Sequence, residues 1–223
     1  MKPVMLIFGG AQGLGRELAA KFAKNHQVII LDINEKILET VASKLDCSYQ
    51  FCDVTDFNSV KLAIEKIFDK YRHLDCVINS AGLFIDGKIE SNDPALIKKV
   101  FEVNSIGPMY ICKTIVPILK KQKSGTIINI NSTASLHPKA MNSVYHASKW
   151  ALNGFTQSLQ LELSDFGIKV VSIYPGVMNT KFTKGTNTDI SKSMDPSEVV
   201  KSIEFVLSLD KDIFIPELVI KHL

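Results

Sequence analysis

Short apolar runs alternate along the chain with longer stretches in which apolar residues recur at helical spacing. The short runs are Val4–Phe8, Gln27–Leu31, Ser48–Phe51, Asp75–Asn79, Thr126–Asn131 and Lys169–Tyr174. They are rich in Val, Ile, Phe and Tyr and show little polar alternation. Strands buried on both faces have that pattern, and parallel sheets are built from them. Between them, Leu14–Asn25, Glu35–Lys44, Phe57–Lys70, Pro94–Lys121 and Ser143–Asp165 read as helices. Asp56 stands as an N-cap before the third, and Pro94 follows Asp93 as a first-turn proline in the fourth. Such alternation predicts right-handed βαβ units, hence an α/β fold: a doubly wound, mostly parallel sheet with helices on both faces. No linker interrupts it, so residues 1–223 are expected to form a single domain. A weaker strand follows Lys211, at Ile213–Ile215 or Leu218–Ile220. The polar stretch 176–195 has no clear period. Ligands of this architecture bind beyond the carboxyl ends of the strands. A loop after the sixth strand is therefore expected to cover the site as a lid.

Composition narrows the classes. With 46% hydrophobic and 22% charged residues, a disordered or collagen-like chain is excluded. A net charge of +3 is too small to argue for nucleic acid or an anionic membrane as partner. Cys47, Cys52, Cys76 and Cys112 form no C-x-x-C pair and have no accompanying histidine cluster, so no metal is expected. They read as reduced, mostly buried thiols. The apolar run after Lys2 is too short for a signal-peptide core, and no run is long enough to span a membrane. A cytoplasmic location follows as the expectation.

The first strand runs into Gly9-Gly10-Ala11-Gln12-Gly13-Leu14-Gly15 and then a helix. From Gly9 the spacing is G-x-x-x-G-x-G, a relative of the dinucleotide fingerprint. Glycine permits the tight turn and lets backbone approach a pyrophosphate, which the helix N-terminus attracts. Asp32 ends the second strand, where a carboxylate accepts ribose hydroxyls and repels a 2′-phosphate. Neither Ile33 nor Asn34 is basic and Gln12 is neutral, so NAD is favoured over NADP. Arg16 and Lys36 keep NADP open; their other reading is exposed helix surface. Asp53, at the end of the third strand, reads either as an adenine contact or as a helix N-cap.

Tyr145 and Lys149 stand at i and i+4, on one helix face. An ammonium about 4 Å from a phenol, at an effective dielectric near 20, is worth roughly 4 kcal/mol, or about three pKa units. That would bring a tyrosine close to neutrality, where acid–base work is efficient. Ser132, at the end of the fifth strand, can hydrogen-bond a substrate oxygen at the carboxyl edge.

These pieces, with Asn79-Ser80-Ala81-Gly82, Asn104, Tyr145-His146-Ala147-Ser148-Lys149 and Pro175-Gly176-Val177-Met178-Asn179-Thr180, resemble the short-chain dehydrogenase/reductase family. The resemblance covers residues 4 to about 180 and implies a Rossmann-like fold. It also implies hydride transfer between NAD(H) or NADP(H) and a small or medium alcohol or carbonyl substrate. It makes Tyr145 the acid–base and has Lys149 lower its pKa while holding the ribose. Ser132 would position the substrate oxygen, and Asn104 would anchor a water in a proton relay. Besides Tyr145, Lys149 and Asp32, it sets Gly9, Gln12, Gly13, Leu14, Gly15, Asp53, Val54, Asn79, Ala81, Gly82, Pro175, Gly176, Val177 and Thr180 around the cofactor. Three residues depart from the family pattern. Phe8 stands where Thr usually precedes the first glycine, Ser80 replaces an Asn, and Asn131 replaces a Ser.

Leu83, Phe84, Leu136, His137, Met141, Val177, Met178 and Phe182 are expected to line a mostly apolar substrate pocket, with a core position as the other reading of Leu136 and Met141 and a loop position without a role as that of His137. Ala147, Ala151, Gly154 and Ser158 form a small-residue face on the fifth helix. It packs either against a second copy, as the resemblance implies for a homodimer or homotetramer, or against the chain's own sheet. The other function class is a non-catalytic dinucleotide-binding regulator, which has no need of Ser132, Tyr145 and Lys149 together.

Overall fold

In the computed structural model, which describes residues 2–180, 182, 190, 191 and 193–223, parallel strands carry the expected alternation. They are β1 (Val4–Phe8), β2 (Gln27–Asp32), β3 (Ser48–Phe51), β4 (Cys76–Asn79), β5 (Gly125–Ile130), β6 (Ile168–Pro175) and β7 (Glu217–Ile220). Their order is β3-β2-β1-β4-β5-β6-β7. The chain winds outward from β1 to β3, returns to the other side of β1, and winds from β4 to β7. The reversal between β1 and β4 opens a crevice at the carboxyl edge, the switch point where ligands of doubly wound sheets bind.

The helices are α1 (Gly13–Phe22), α2 (Glu35–Leu45), α3 (Phe57–Tyr71), α4 (Pro94–Phe101), α5 (Gly107–Gln122), α6 (Ser143–Leu163) and α7 (Pro196–Ser208). One apolar core lies between the sheet and α1, α2 and α7, built on Leu18, Leu38 and Ile203. The other lies under α3, α5 and α6, built on Ile64, Ile115 and Leu159. Every residue of β1 is buried, which is why that run shows no polar alternation.

One open alternative closes and three readings change. The last strand takes the Leu218–Ile220 alternative, and Ile213–Ile215 lies outside it. Helix α7 was not anticipated, although Asp195 caps it by accepting the Ser197 N–H at 2.8 Å and Pro196 opens it. Asp53 and Ser132 do not end strands; each lies two residues beyond one.

The third change is the interruption of the single helix expected over Pro94–Lys121. Between α4 and α5, Glu102–Ile106 forms a π turn in which the Gly107 N–H reaches back to Glu102 O. Pro108 follows and has no N–H to donate. By helical geometry the Met109 N–H is then the single main-chain donor left for the carbonyls of Val103, Asn104 and Ser105. Within the stretch 176–195, residues 181, 183–189 and 192, nine of the twenty of the expected lid, lie outside the described residues. Its ends are held by a parallel bridge between Met178 and Met194.

Candidate active site

The crevice contains a cavity of about 470 Å³. Gly9, Gln12, Gly13, Leu14 and Gly15 form one wall; Asp32, Asp53 and Val54 form the far end. Ala81, Gly82, Tyr145, Lys149 and Thr180 complete it. A second cavity, of about 480 Å³, holds Ser132, Leu136, His137, Pro175, Gly176 and Val177. Tyr145, Asn131, Met178, Thr180 and Phe182 border both, so the phenol stands where the two meet.

The first cavity fits a dinucleotide. Helices α2, α3, α4 and α7 are each capped by a side chain (Asn34, Asp56, Asp93 and Asp195), whereas Gln12 makes no such bond at α1. The first N–H groups of α1, with no side chain capping them, thus face the crevice with their partial positive charge. The glycines divide by role. A Cβ on Gly15 would sit 2.1 Å from Gly9 O, so Gly15 closes the turn. A Cβ on Gly13, at φ +51°, would meet nothing nearer than Thr180 Cβ at 4.0 Å; it would enter the cavity itself.

Asp32 is fixed by two backbone donors, Ala11 N–H to Oδ2 at 3.2 Å and Asn34 N–H to Oδ1 at 3.1 Å. Each oxygen keeps a further lone pair for a ligand hydroxyl. Asp53 is no helix cap: Asp56 caps α3, while Asp53 Oδ1 accepts from the Thr55 N–H and hydroxyl. Arg16 is paired with Glu17 at 2.7 Å, outside the cavity.

Tyr145 is held between aromatic rings, Phe84 at 4.7 Å and Phe182 at 6.2 Å between centroids. Burial pushes its pKa up to about 12, and hydrogen bonding to Ser132 pulls it back by less. The lowering expected from Lys149 is not what the site shows: the ammonium donates to Ile130 O at 2.9 Å, and burial brings its own pKa down to about 8. Desolvation acts on both groups toward the neutral form, so phenol and amine each resist carrying charge. The Ser132 hydroxyl accepts from the Ala134 N–H at 3.1 Å and keeps its own proton to donate.

Two residues expected in the catalytic or cofactor set border neither cavity. Asn79 is buried in the sheet and donates to Asn129 Oδ1 at 2.6 Å. Asn104 is fully buried, and its amide clamps the loop after β4. It accepts from the Leu83 N–H at 2.7 Å and donates to Leu83 O at 2.8 Å and Ser148 Oγ at 3.0 Å. That leaves only its main-chain carbonyl, in the π turn, for any water. Leu83 lines the first cavity rather than the second, and Met141 lines neither.

Sequence reasoning missed Lys99 and Trp150. Lys99, on α4, enters the first cavity and donates to Thr55 Oγ1 at 3.0 Å. Trp150 donates its indole N–H to Ala134 O at 3.0 Å and so holds the turn after Ser132. Both contacts are tertiary, and no local spacing marks them. Two of the departures meet: where Phe8 lacks a hydroxyl, Ser80 Oγ donates to Phe8 O at 2.6 Å and ties β4 to β1.

A sequence model of the short chain dehydrogenases matches residues 3–191. The chain is 29% identical over 221 residues to an uncharacterized oxidoreductase of Staphylococcus epidermidis, covering 98% of this chain and 96% of that one. Among solved structures, it superposes with a TM-score of 0.92 on an alcohol dehydrogenase from Thermococcus sibiricus complexed with 5-hydroxy-NADP. That pair is 22% identical, over 100% of this chain and 97% of the other. A 3-ketoacyl-(acyl-carrier-protein) reductase from Brucella melitensis complexed with NADH also gives 0.92, at 22% identity over 98% and 96%. At such identity these two likenesses speak for the fold; the matched family model carries the assignment. With its seven-stranded parallel sheet, glycine turn and Tyr145–Lys149 helix, the chain belongs to the short-chain dehydrogenase family of oxidoreductases.

Proposed function

We propose that the chain is an NAD(H)-dependent oxidoreductase acting on an alcohol or carbonyl compound, with Tyr145 as its acid–base. The observation that carries this is the position of Tyr145 at the junction of the two cavities, with Lys149 on one side and Ser132 on the other. A nicotinamide dinucleotide held in the first cavity would supply or accept the hydride at the substrate carbon. Tyr145 gives its proton to the carbonyl oxygen in reduction and takes it back in oxidation. A phenol whose pKa is pushed up to about 12 keeps that proton until the oxygen needs it. Ser132 donates a hydrogen bond to the same oxygen. Lys149, which donates to Ile130 O, would also hold the ribose hydroxyls, and its charge would then act on the phenol. Thr180, which borders both cavities, would hold the carboxamide end, while Pro175, Gly176 and Val177 line the second cavity. The Asn104 carbonyl, short of donors in the π turn, holds a water that links Lys149 to solvent.

The preference for NAD(H) is supported by Asp32 in the first cavity and by the pairing of Arg16 with Glu17. Asp32→Ala with Ile33→Arg should shift the preference toward NADP(H) by removing a repelling carboxylate and adding a phosphate-binding fork. Titration of both cofactors against wild type and variant checks this; a wild type that binds NADPH more tightly contradicts it. A second copy of the chain covers α6. Ala147, Gly154 and Ser158 are exposed, and a Cβ on Gly154 would meet nothing within 4 Å, so this face does not pack on the chain's own sheet. Four free thiols suit a reducing compartment such as the cytoplasm. A panel of alcohols and ketones with NAD(H) and NADP(H), followed by absorbance of the reduced nicotinamide, tests the activity. Cofactor binding without turnover of any substrate would favour a regulator on the same fold.

A further inference from the structure

The cavity beyond Tyr145 has walls of two kinds. Its apolar lining comes from Phe84, Leu136, Val177, Met178 and Phe182. Lys139 and Lys221 also stand in its lining, and among the described residues no Asp or Glu does. The two lysines come from separate parts of the chain and are placed by independent contacts. Lys139 lies on the loop before α6, and its charge acts on His146, the neighbour of Tyr145. Burial first, and the Lys139 charge with it, hold that imidazole's pKa low. Lys221 stands one residue past β7. The Gly176 N–H donates to Ile220 O at 2.7 Å, and a Cβ on Gly176 would lie 3.2 Å from Lys221 Cβ. The root of the Lys221 side chain is therefore pinned against backbone that lines the cavity. Neither lysine is ion-paired with a described residue.

A neutral apolar substrate would use the lining and leave both cations without a partner. We propose that this cavity takes an apolar molecule ending in a carboxylate, with the carboxylate toward Lys139 and Lys221 and the other end toward Tyr145. Only the statement that the Tyr145 end carries the reacting carbonyl or alcohol rests on the proposed function; the charge preference does not. Both lysines are exposed, and exposed charges are screened over about 8 Å at physiological ionic strength. The preference should accordingly be moderate and salt-dependent.

The chain's one tryptophan supplies a readout that needs no turnover. Trp150 donates to Ala134 O, and Ala134 lines this cavity, so indole fluorescence follows its occupancy. Octanoate and its uncharged isostere octanamide are titrated into the full chain. At low salt octanoate should bind about five- to tenfold more tightly. The difference should collapse at high salt and in the Lys139→Gln/Lys221→Gln double variant, in which octanamide affinity is the control for an intact lining. Equal affinity for acid and amide overturns the proposal, as does a preference that survives in the double variant. So does the lack of saturable octanoate binding by fluorescence and by equilibrium dialysis. A second arm compares kcat/KM for an oxo acid and a methyl ketone of matched length. A higher value for the oxo acid supports the proposal, and a higher value for the ketone overturns it. Preferential octanoate binding with neither carbonyl compound reduced upholds the charge preference and counts against hydride transfer.

Discussion

At the residue scale, Tyr145 and Lys149 were legible because a four-residue spacing has one geometric meaning on a helix. Their electrostatics were not, because burial depends on what the rest of the chain stacks over them. The phenol is pushed up and the amine down by the same loss of water. Tyr145→Phe keeps the ring between Phe84 and Phe182 but removes the transferable proton. Turnover should fall by about 10²–10⁴ with NADH affinity within a few fold, and a variant as active as wild type would exclude Tyr145 as the acid–base. Lys149 gives a stability prediction with a definite sign. Its folded pKa of about 8 lies below the ordinary value of 10.5, so the buried ammonium opposes folding fully below about pH 8. From there to 10.5 the folded chain has lost a proton that the unfolded chain still binds, and stability rises with pH through that window. Lys149→Met should be inactive yet more stable than wild type at pH 7, by about 1–3 kcal/mol, with the gap closing toward pH 10. Urea unfolding of both proteins at the two pH values measures it; a gap that does not change with pH rules out this origin.

At the element scale, what the sequence made legible depended on burial being symmetric. The interior strands are apolar on both faces and stand out, whereas β3, at the sheet edge, leaves Tyr49 and Phe51 exposed and is recognisable mainly by its length. Helix α7 was missed although Asp195-Pro196 is a strong start signal, because the polar stretch before it has no period to end. The π turn was not legible from periodicity: one extra residue rotates the apolar phase by about 100°, but α4 before it is too short to fix the phase that shifts. Gly107 and Pro108 did mark the place. With the Met109 N–H alone serving three carbonyls, Pro108→Ala adds a second main-chain donor exactly one residue earlier. If the Asn104 carbonyl holds a relay water, that donor competes for it. Turnover should then drop several-fold, most at low pH where proton release from Tyr145 is hardest, with cofactor affinity little changed. A pH–rate profile that overlays the wild type would leave Pro108 as a packing feature.

At the scale of the whole molecule, the two wound halves of the sheet meet at β1 and β4, and the glycine turn is the seam between them. Ligand binding there should stabilise the entire fold, because the unfolded chain has no such crevice. A ligand at about a hundred times its Kd adds about 2.7 kcal/mol. For a chain of this length that corresponds to a rise in Tm of about 5–10 °C. Gly13 and Gly15 separate this binding term from the packing of the seam. Alanine at 15 drives a methyl group onto Gly9 O, so it should destabilise the chain even without ligand. Alanine at 13 has open space for its methyl and bears only the strain of a left-handed conformation, about 1–2 kcal/mol. That methyl occupies the approach to the uncapped N-terminus of α1. Gly13→Ala should therefore fold with a slightly lowered Tm and lose most of the rise that NADH gives the wild type. Thermal unfolding with and without NADH decides it: an undiminished rise in Gly13→Ala would mean that the dinucleotide does not lie against this turn.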